Sequence, residues 1–210
     1  VVMLEPTDLA ETTYELVDGL QYEQGLKNVH FVTNEENTSA ELNKPFVLIV
    51  ESQIESVRKI QTVLEHVIKT KRSLLVIADV DPQVLSALAM NKIKGNIKVN
   101  IIDTPTFGIS RKEILNDIAF LTGATVINED LGDDIDLIGP EHLGEIKKSI
   151  SSNEETVLHI GESSDEVKEI IKEIKAKLKT AKHAGVIINH EKRLARLSGK
   201  VALVKVGANS

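Results

Sequence analysis

PFVLIVESQIESVRKIQTVLEHVIKTKRSLLVIADVDPQVLSALAMNKIKG, residues 45–95, decides the fold. Phe46-Val47-Leu48-Ile49-Val50 is a short unbroken apolar run, which predicts a strand buried on both faces of a parallel sheet. Ile54, Val57, Ile60, Val63, Leu64, Val67 and Ile68 then recur at helical spacing, predicting a helix over 54–70. Leu74-Leu75-Val76-Ile77-Ala78 repeats the strand pattern. A second helix over 82–93 is punctuated by Asp81 as N-cap, Pro82 in the first turn and Gly95 as a left-handed stop. Both helices carry more apolar surface than one sheet requires, because a helix lying on a sheet needs a single stripe of roughly 100°. Ile60, Val63 and Val67 make one stripe of the first helix, and Val57, Leu64 and Ile68 make another. The second is apolar almost all round, through Val84, Leu85, Leu88, Ala89, Met90 and Ile93. Such helices are either covered again or offer a groove.

The totals narrow the possibilities. A chain of 210 residues holds one large domain or two small ones. Aromatic residues are 3% with no Trp, and the formal charge is −7, so base stacking and nucleic-acid binding are disfavoured. With no Cys there is no disulfide, no thiol nucleophile and no Cys-built zinc site. No apolar run approaches the roughly 20 residues of a membrane span. The ends, Val1-Val2-Met3-Leu4 and Val201 to Val206, read as strands cut from a longer protein.

Outward from the central stretch, Tyr14 to Val17 reads as strand, Asp18-Gly19 as a turn and Val29 to Val32 as strand. Residues 33–44 are polar and read as a loop or hairpin. Downstream, Ile97 to Ile102 is a third strand of the unit. Ser110 and Glu113 form a capping-box pattern for a helix ending at Gly123, and Thr125-Val126-Ile127 is a fourth strand. Residues 130–144 are irregular, and 146–150 with 156–160 read as a hairpin. Ser164 caps a long helix to about His183, Gly185 breaks the pattern, Asn189 caps a last helix to Leu197, and a strand follows Gly199.

Chemistry is sparse. Asp79-Val80-Asp81 at the end of a parallel strand has the placement of a magnesium site, which keeps a magnesium-dependent α/β enzyme as the alternative reading. Without a phosphate-cradling glycine loop, Asp81 as a cap and Asp79 as a solvated charge is the simpler account. The histidines, His30, His66, His142, His159, His183 and His190, show no metal-ligand spacing, and there is no G-x-S-x-G elbow. No catalytic residue and no metal ligand is assigned. A third possibility is a subunit-contact domain whose groove is already filled.

Several strings resemble the group I (GroEL-type) chaperonins. Asp18-Gly19-Leu20-Gln21-Tyr22-Glu23-Gln24-Gly25 resembles E-G-M-Q-F-D-R-G, and Pro45-Phe46-Val47-Leu48 resembles P-F-I-L. Thr104-Pro105-Thr106-Phe107-Gly108 resembles A-P-G-F-G, and residues 116–123 resemble Q-D-I-A-x-L-T-G. Arg193 to Ala202 resembles R-V-A-K-L-A-G-G-V-A. The strings keep the family's order across nearly the whole chain. The resemblance implies an α/β apical domain with mixed or parallel sheet layers flanked by helices and a long C-terminal helical hairpin. Residues 18–201 would be apical, and 1–17 and 202–210 would be edges of the intermediate domain.

The resemblance also implies a molecular chaperone that binds non-native polypeptides, and the mobile loop of a GroES-type co-chaperonin, between the two helices. Carried over by position, the lining is Val57, Gln61, Leu64 and Ile68 from the first helix and Leu85, Ala89, Met90 and Asn91 from the second, with Leu26, His30 and Phe31 below. Gly19 and Gly199 are hinge candidates. ATP and magnesium would belong to the equatorial domain of a ring-forming parent, whose other subunits are partners, and this piece would bind without turning over. Neither nucleic acid nor membrane is an expected partner. Lysine-rich, arginine-poor composition with many Ile and Asn suggests an AT-rich genome, so the expected location is a plastid or mitochondrial matrix or a bacterial cytoplasm. Departures from the family are Gln61 for Leu, Ala89 for Val, Leu26 and His30 for tyrosines, Ile109-Ser110 for Asp-Arg, and Lys200 for a hinge glycine.

Overall fold

The computed structural model describes residues 2–7, 13–36, 38–105, 109–133 and 138–207. It is a mixed α/β fold of two sheets and, among the described residues, five α-helices.

The 45–95 unit forms β4 (Phe46–Ile54), α1 (Gln61–Lys69), β5 (Ser73–Val80) and α2 (Pro82–Ile93). With β6 (Lys98–Ile102) and β7 (Val126–Ile127) it makes a parallel sheet in the order β6-β5-β4-β7, and β8 (Gly144–Glu145) pairs antiparallel with the start of β4. The two apolar runs are buried on both faces, as a parallel sheet covered on each side requires. Phe46, Leu48, Val50, Leu74, Val76 and Ala78 face one core together with α1 and α2. Val47, Ile49, Leu75, Ile77 and Ile102 face a second core with α3 (Ile109–Thr122) and part of the other sheet.

That second sheet runs β1-β11-β2-β10-β9-β3. Its strands are β1 (Val2–Thr7), β2 (Thr13–Tyr22), β3 (Ala40–Asn43), β9 (Lys148–Ser151), β10 (Thr156–His159) and β11 (Lys200–Gly207). β1 and β11 are parallel and the other pairs antiparallel. Where the sheets meet, the Asn100 amide donates to Ser151 Oγ at 2.9 Å. Thr156 Oγ1 lies 2.7 Å from Ser151 Oγ and donates to the Gln24 carbonyl at 2.7 Å. These polar groups are buried and bonded in a chain, which fixes the register of one sheet on the other.

Helices α4 (Asp165–Thr180) and α5 (Ala184–Leu197) form the C-terminal hairpin. Ser164 caps α4, its Oγ accepting from the Val167 N–H at 3.2 Å. The hairpin is tied to α3 by one buried charge. Asp117 is fully buried and accepts from Arg193 Nη2 at 2.8 Å and Nε at 3.2 Å, and from Arg196 Nη1.

Local expectations fail where tertiary pairing overrides turn chemistry. Asp18-Gly19 is not a turn but the middle of β2, because β11 pairs with β2 up to Asp18 and β10 takes over from Gly19. Glycine is needed there for close approach: a Cβ would lie 2.5 Å from the Leu158 carbonyl and 2.6 Å from Val201 Cγ2. Val29–Phe31 is a 3₁₀ turn capped by the Asn28 side chain, not a strand. In the stretch read as loop or hairpin, Asn34 and Ser39 form an antiparallel bridge and residues 40–43 are an edge strand. β4 continues to Ile54, so the first helix starts later than expected: Ser56 caps a 3₁₀ turn over Val57–Ile60 that leads into α1. Ser110 sits inside α3 rather than capping it. Gly185 and Asn189 lie within α5, whose break from α4 falls at residues 181–183. The expected boundaries after residues 17 and 201 fall inside β2 and β11. In the string at 104–108, Thr106, Phe107 and Gly108 lie outside the described residues.

Candidate functional site

Both α1 and α2 pack on the same face of the parallel sheet, and their surplus apolar residues are covered to different degrees. The inner stripe of the first helical segment, Ile60, Val63 and Val67, is completely buried. Its second stripe is graded: Val57 is half-buried, Leu64 is 8% exposed and Ile68 is 50% exposed. On α2, Val84, Leu88 and Ala89 are buried, Leu85 is half-buried and Met90 is 53% exposed. Leu26, Val57 and Leu85 pack onto the core that contains Phe31, Leu64 and Ala89. The structure therefore brings these six into one cluster, with Phe31, Leu64 and Ala89 as its floor. Ile68 and Met90, on the same two helices, are exposed and lie outside that cluster.

The polar candidates are exposed, and the side chains of Gln61 and Asn91 are held along their own helices. Gln61 Nε2 donates to Glu65 Oε1 at 3.2 Å, and Asn91 Nδ2 donates to the Ala87 carbonyl at 2.9 Å. His30 is exposed in the 3₁₀ turn, its backbone N–H bonded to Asn28 Oδ1. Two further apolar residues are exposed: Val29 at 68% and Ile93, the last residue of α2, at 57%. Ile93 was legible as part of an all-round apolar helix. Val29 was not, because it reads as strand and strand residues are expected to be covered.

The acidic pair divides between a cap and a surface position. Asp81 Oδ1 accepts from the Gln83 N–H at 2.9 Å and so caps α2, while Asp79 is exposed. Among the described residues no three His, Cys, Asp or Glu side chains converge as metal ligands. At the 109–112 departure, Arg111 is held by the end of β4: its Nη2 donates to the Glu51 carbonyl at 2.8 Å, and Nη1 lies 3.9 Å from Glu51 Oε1.

The hinge candidates face each other, with the Gly19 N–H donating to the Gly199 carbonyl at 3.1 Å. Beside them Lys200 Nζ donates to Asp18 Oδ1, and Asp18 Oδ2 accepts from Ser163 N–H at 3.2 Å and Ser163 Oγ at 3.0 Å. The Lys200 hydrogen bond holds the Asp18 carboxyl below its ordinary pKa against the opposing effect of burial, and the Ser163 donors add to the lowering. A depressed folded pKa stabilises above the unfolded value of about 3.9, and that contribution is lost as pH falls through the folded value. Asp18→Asn is therefore expected to flatten the loss of stability below about pH 4. Urea unfolding of both proteins across the acid range checks this, and superimposable curves would contradict it.

No protein-family model matches the chain. Among the described residues no helix is long and apolar enough to cross a membrane.

Proposed function

We propose that this chain is a polypeptide-binding module of the kind found in the apical domain of group I chaperonins. Its outer α1–α2 surface binds apolar segments of non-native proteins. One observation carries the reading: both helices bury a complete stripe on the sheet and still present Ile68 and Met90, each about half exposed, to water. Exposed apolar residues on neighbouring helices of one sheet face favour an interaction role. Burial of such surface is worth on the order of 25 cal/mol per Å² and makes no directional demand, so many client sequences can be accepted. Met90 adds an adaptable contact. In the same reading, residues 18–201 are the apical unit, and Gly19 and Gly199 form the flexible joint to neighbouring domains. The parent is an ATP-driven ring whose cycle switches the groove from client to a co-chaperonin loop.

Calorimetric titration with an amphipathic apolar peptide, run against magnesium chloride alone, tests the reading. The peptide is expected to bind with heat, while the magnesium pair Asp79 and Asp81 gives none. A silent peptide titration would overturn the proposal. Gln61 is exposed where the family carries Leu, so Gln61→Leu adds apolar area at the rim. It is expected to tighten the same peptide roughly three- to tenfold, as an added partly buried aliphatic side chain is worth about 1 kcal/mol. An unchanged affinity would place Gln61 outside the contact surface.

A further inference from the structure

The structure assigns a second site, for a small phosphate-bearing anion, to a basic cleft at the N-terminal edge of the parallel sheet. The cleft encloses about 580 Å³, within the size range of small-molecule sites. Three turns meet there: β3 to β4, α1 to β5 and α2 to β6. Lys44, Lys71, Arg72, Lys92 and Lys98 line it, and Glu41 is the single carboxylate among the described lining residues. In a chain of net charge −7, five cations against one anion is a local inversion of the overall field.

Two of these cations are committed. Arg72 pairs with Glu145 and lies 3.9 Å over the Phe46 ring, and Lys92 Nζ donates to the Val32 carbonyl at 2.6 Å. Lys44, Lys71 and Lys98 have no carboxylate partner among the described residues. The backbone supplies an independent observation. Lys44 and Lys71 have φ of 47° and 56°, the left-handed conformation that glycine takes without strain. Lys71 follows the Thr70 C-cap of α1, the position where glycine is the usual residue. Lysine is thus held at two strained positions on the same cleft, as a site that needs its ammonium groups would require.

The chemistry favours phosphate over carboxylate. The uncommitted cations are three clustered lysines acting as point charges, and a phosphate group carrying close to two negative charges gains more from them than a singly charged carboxylate does. Leu42, Ile97 and Val99 also line the cleft but are buried, so its open surface is mainly the cationic side chains. The carbonyl ends of α1 and α2 lie on this side and repel anions. Binding therefore depends on the lysines and is salt-sensitive. The proposal does not rest on the polypeptide-binding reading.

The test is calorimetry on the full 210-residue chain at low salt, with adenosine diphosphate, pyrophosphate, adenosine and an octaglutamate peptide as separate titrants. Adenosine diphosphate and pyrophosphate are both expected to bind through their phosphates, and adenosine is expected not to bind. Lys71→Gly and Lys98→Ala are each expected to weaken adenosine diphosphate about tenfold, one charge-assisted contact apiece. Lys71→Gly should melt no lower than the unmodified chain, since glycine suits that backbone. Absence of binding by both phosphates overturns the proposal. So does an affinity unchanged in the two variants, as expected if the lysines only complement the helix ends. Octaglutamate binding as tightly as adenosine diphosphate overturns it in favour of an acidic-peptide surface.

Discussion

Asp117→Ala is expected to destabilise the fold by about 3–5 kcal/mol, the usual cost of removing one partner from a buried ion pair. Asp117 is fully buried in α3, and the side chains of Arg193 and Arg196 are 21% and 14% exposed. Removing the carboxylate leaves two largely desolvated guanidinium groups facing each other with no counter-ion. A guanidinium keeps its proton in proteins, so the two side chains cannot relieve the repulsion by losing their charge. The effect should be directional. The α4–α5 hairpin docks through this contact, so hydrogen exchange should rise first in residues 165–197 and last in β4 and β5. Asp117→Asn keeps the volume and one acceptor, and is expected to cost less than the alanine variant. Urea unfolding checks the magnitude. A loss below about 1 kcal/mol would mean that the arginines find other partners or water at no cost.

The second large effect concerns binding. Ile68→Glu combined with Met90→Glu is expected to weaken an apolar peptide by at least tenfold to a hundredfold. Each native side chain is about half exposed, so a ligand can still bury on the order of 1 kcal/mol at each, and each new carboxylate must be desolvated on contact. Stability should change by less than about 0.5 kcal/mol, because surface substitutions away from packed features usually do. Leu64→Glu is the contrasting variant. Leu64 is 8% exposed and belongs to the core, so its loss of binding would be inseparable from unfolding. If the Ile68/Met90 variant binds the peptide as tightly as the unmodified chain, the outer helix surface is not where the peptide sits.

The alternating units were legible in the sequence for a physical reason. Val47 to Val50 and Leu74 to Ala78 are covered from both sides, so their hydropathy has no period to misread. Asp81, Pro82 and Gly95 set both limits of α2 through purely local chemistry, and α2 falls at 82–93 as expected. What escaped the sequence depends on distant partners. Asp18-Gly19 has turn composition, yet it is where β2 passes from β11 to β10, and those strands lie more than a hundred residues away. Asn189 looks like a cap, but its amide donates to Glu113 Oε2 at 3.0 Å across the α3–α5 contact. The candidate surface was legible in part. Too many apolar residues on α1 and α2 signalled it, but periodicity could not say that Leu64, Ala89 and Phe31 form the floor while Ile68 and Met90 stay open. The basic cleft left no sequence signal, since Lys44, Lys71 and Lys98 come from three separate turns.

The most direct measurement is a chemical-shift map of the isotope-labelled chain as an amphipathic apolar peptide is added. Saturable shifts grouped at Val57, Ile68, Leu85 and Met90, and lost in the Ile68/Met90 double variant, are the predicted result. Shifts absent from these four residues at saturation, or unchanged in that variant, would contradict it.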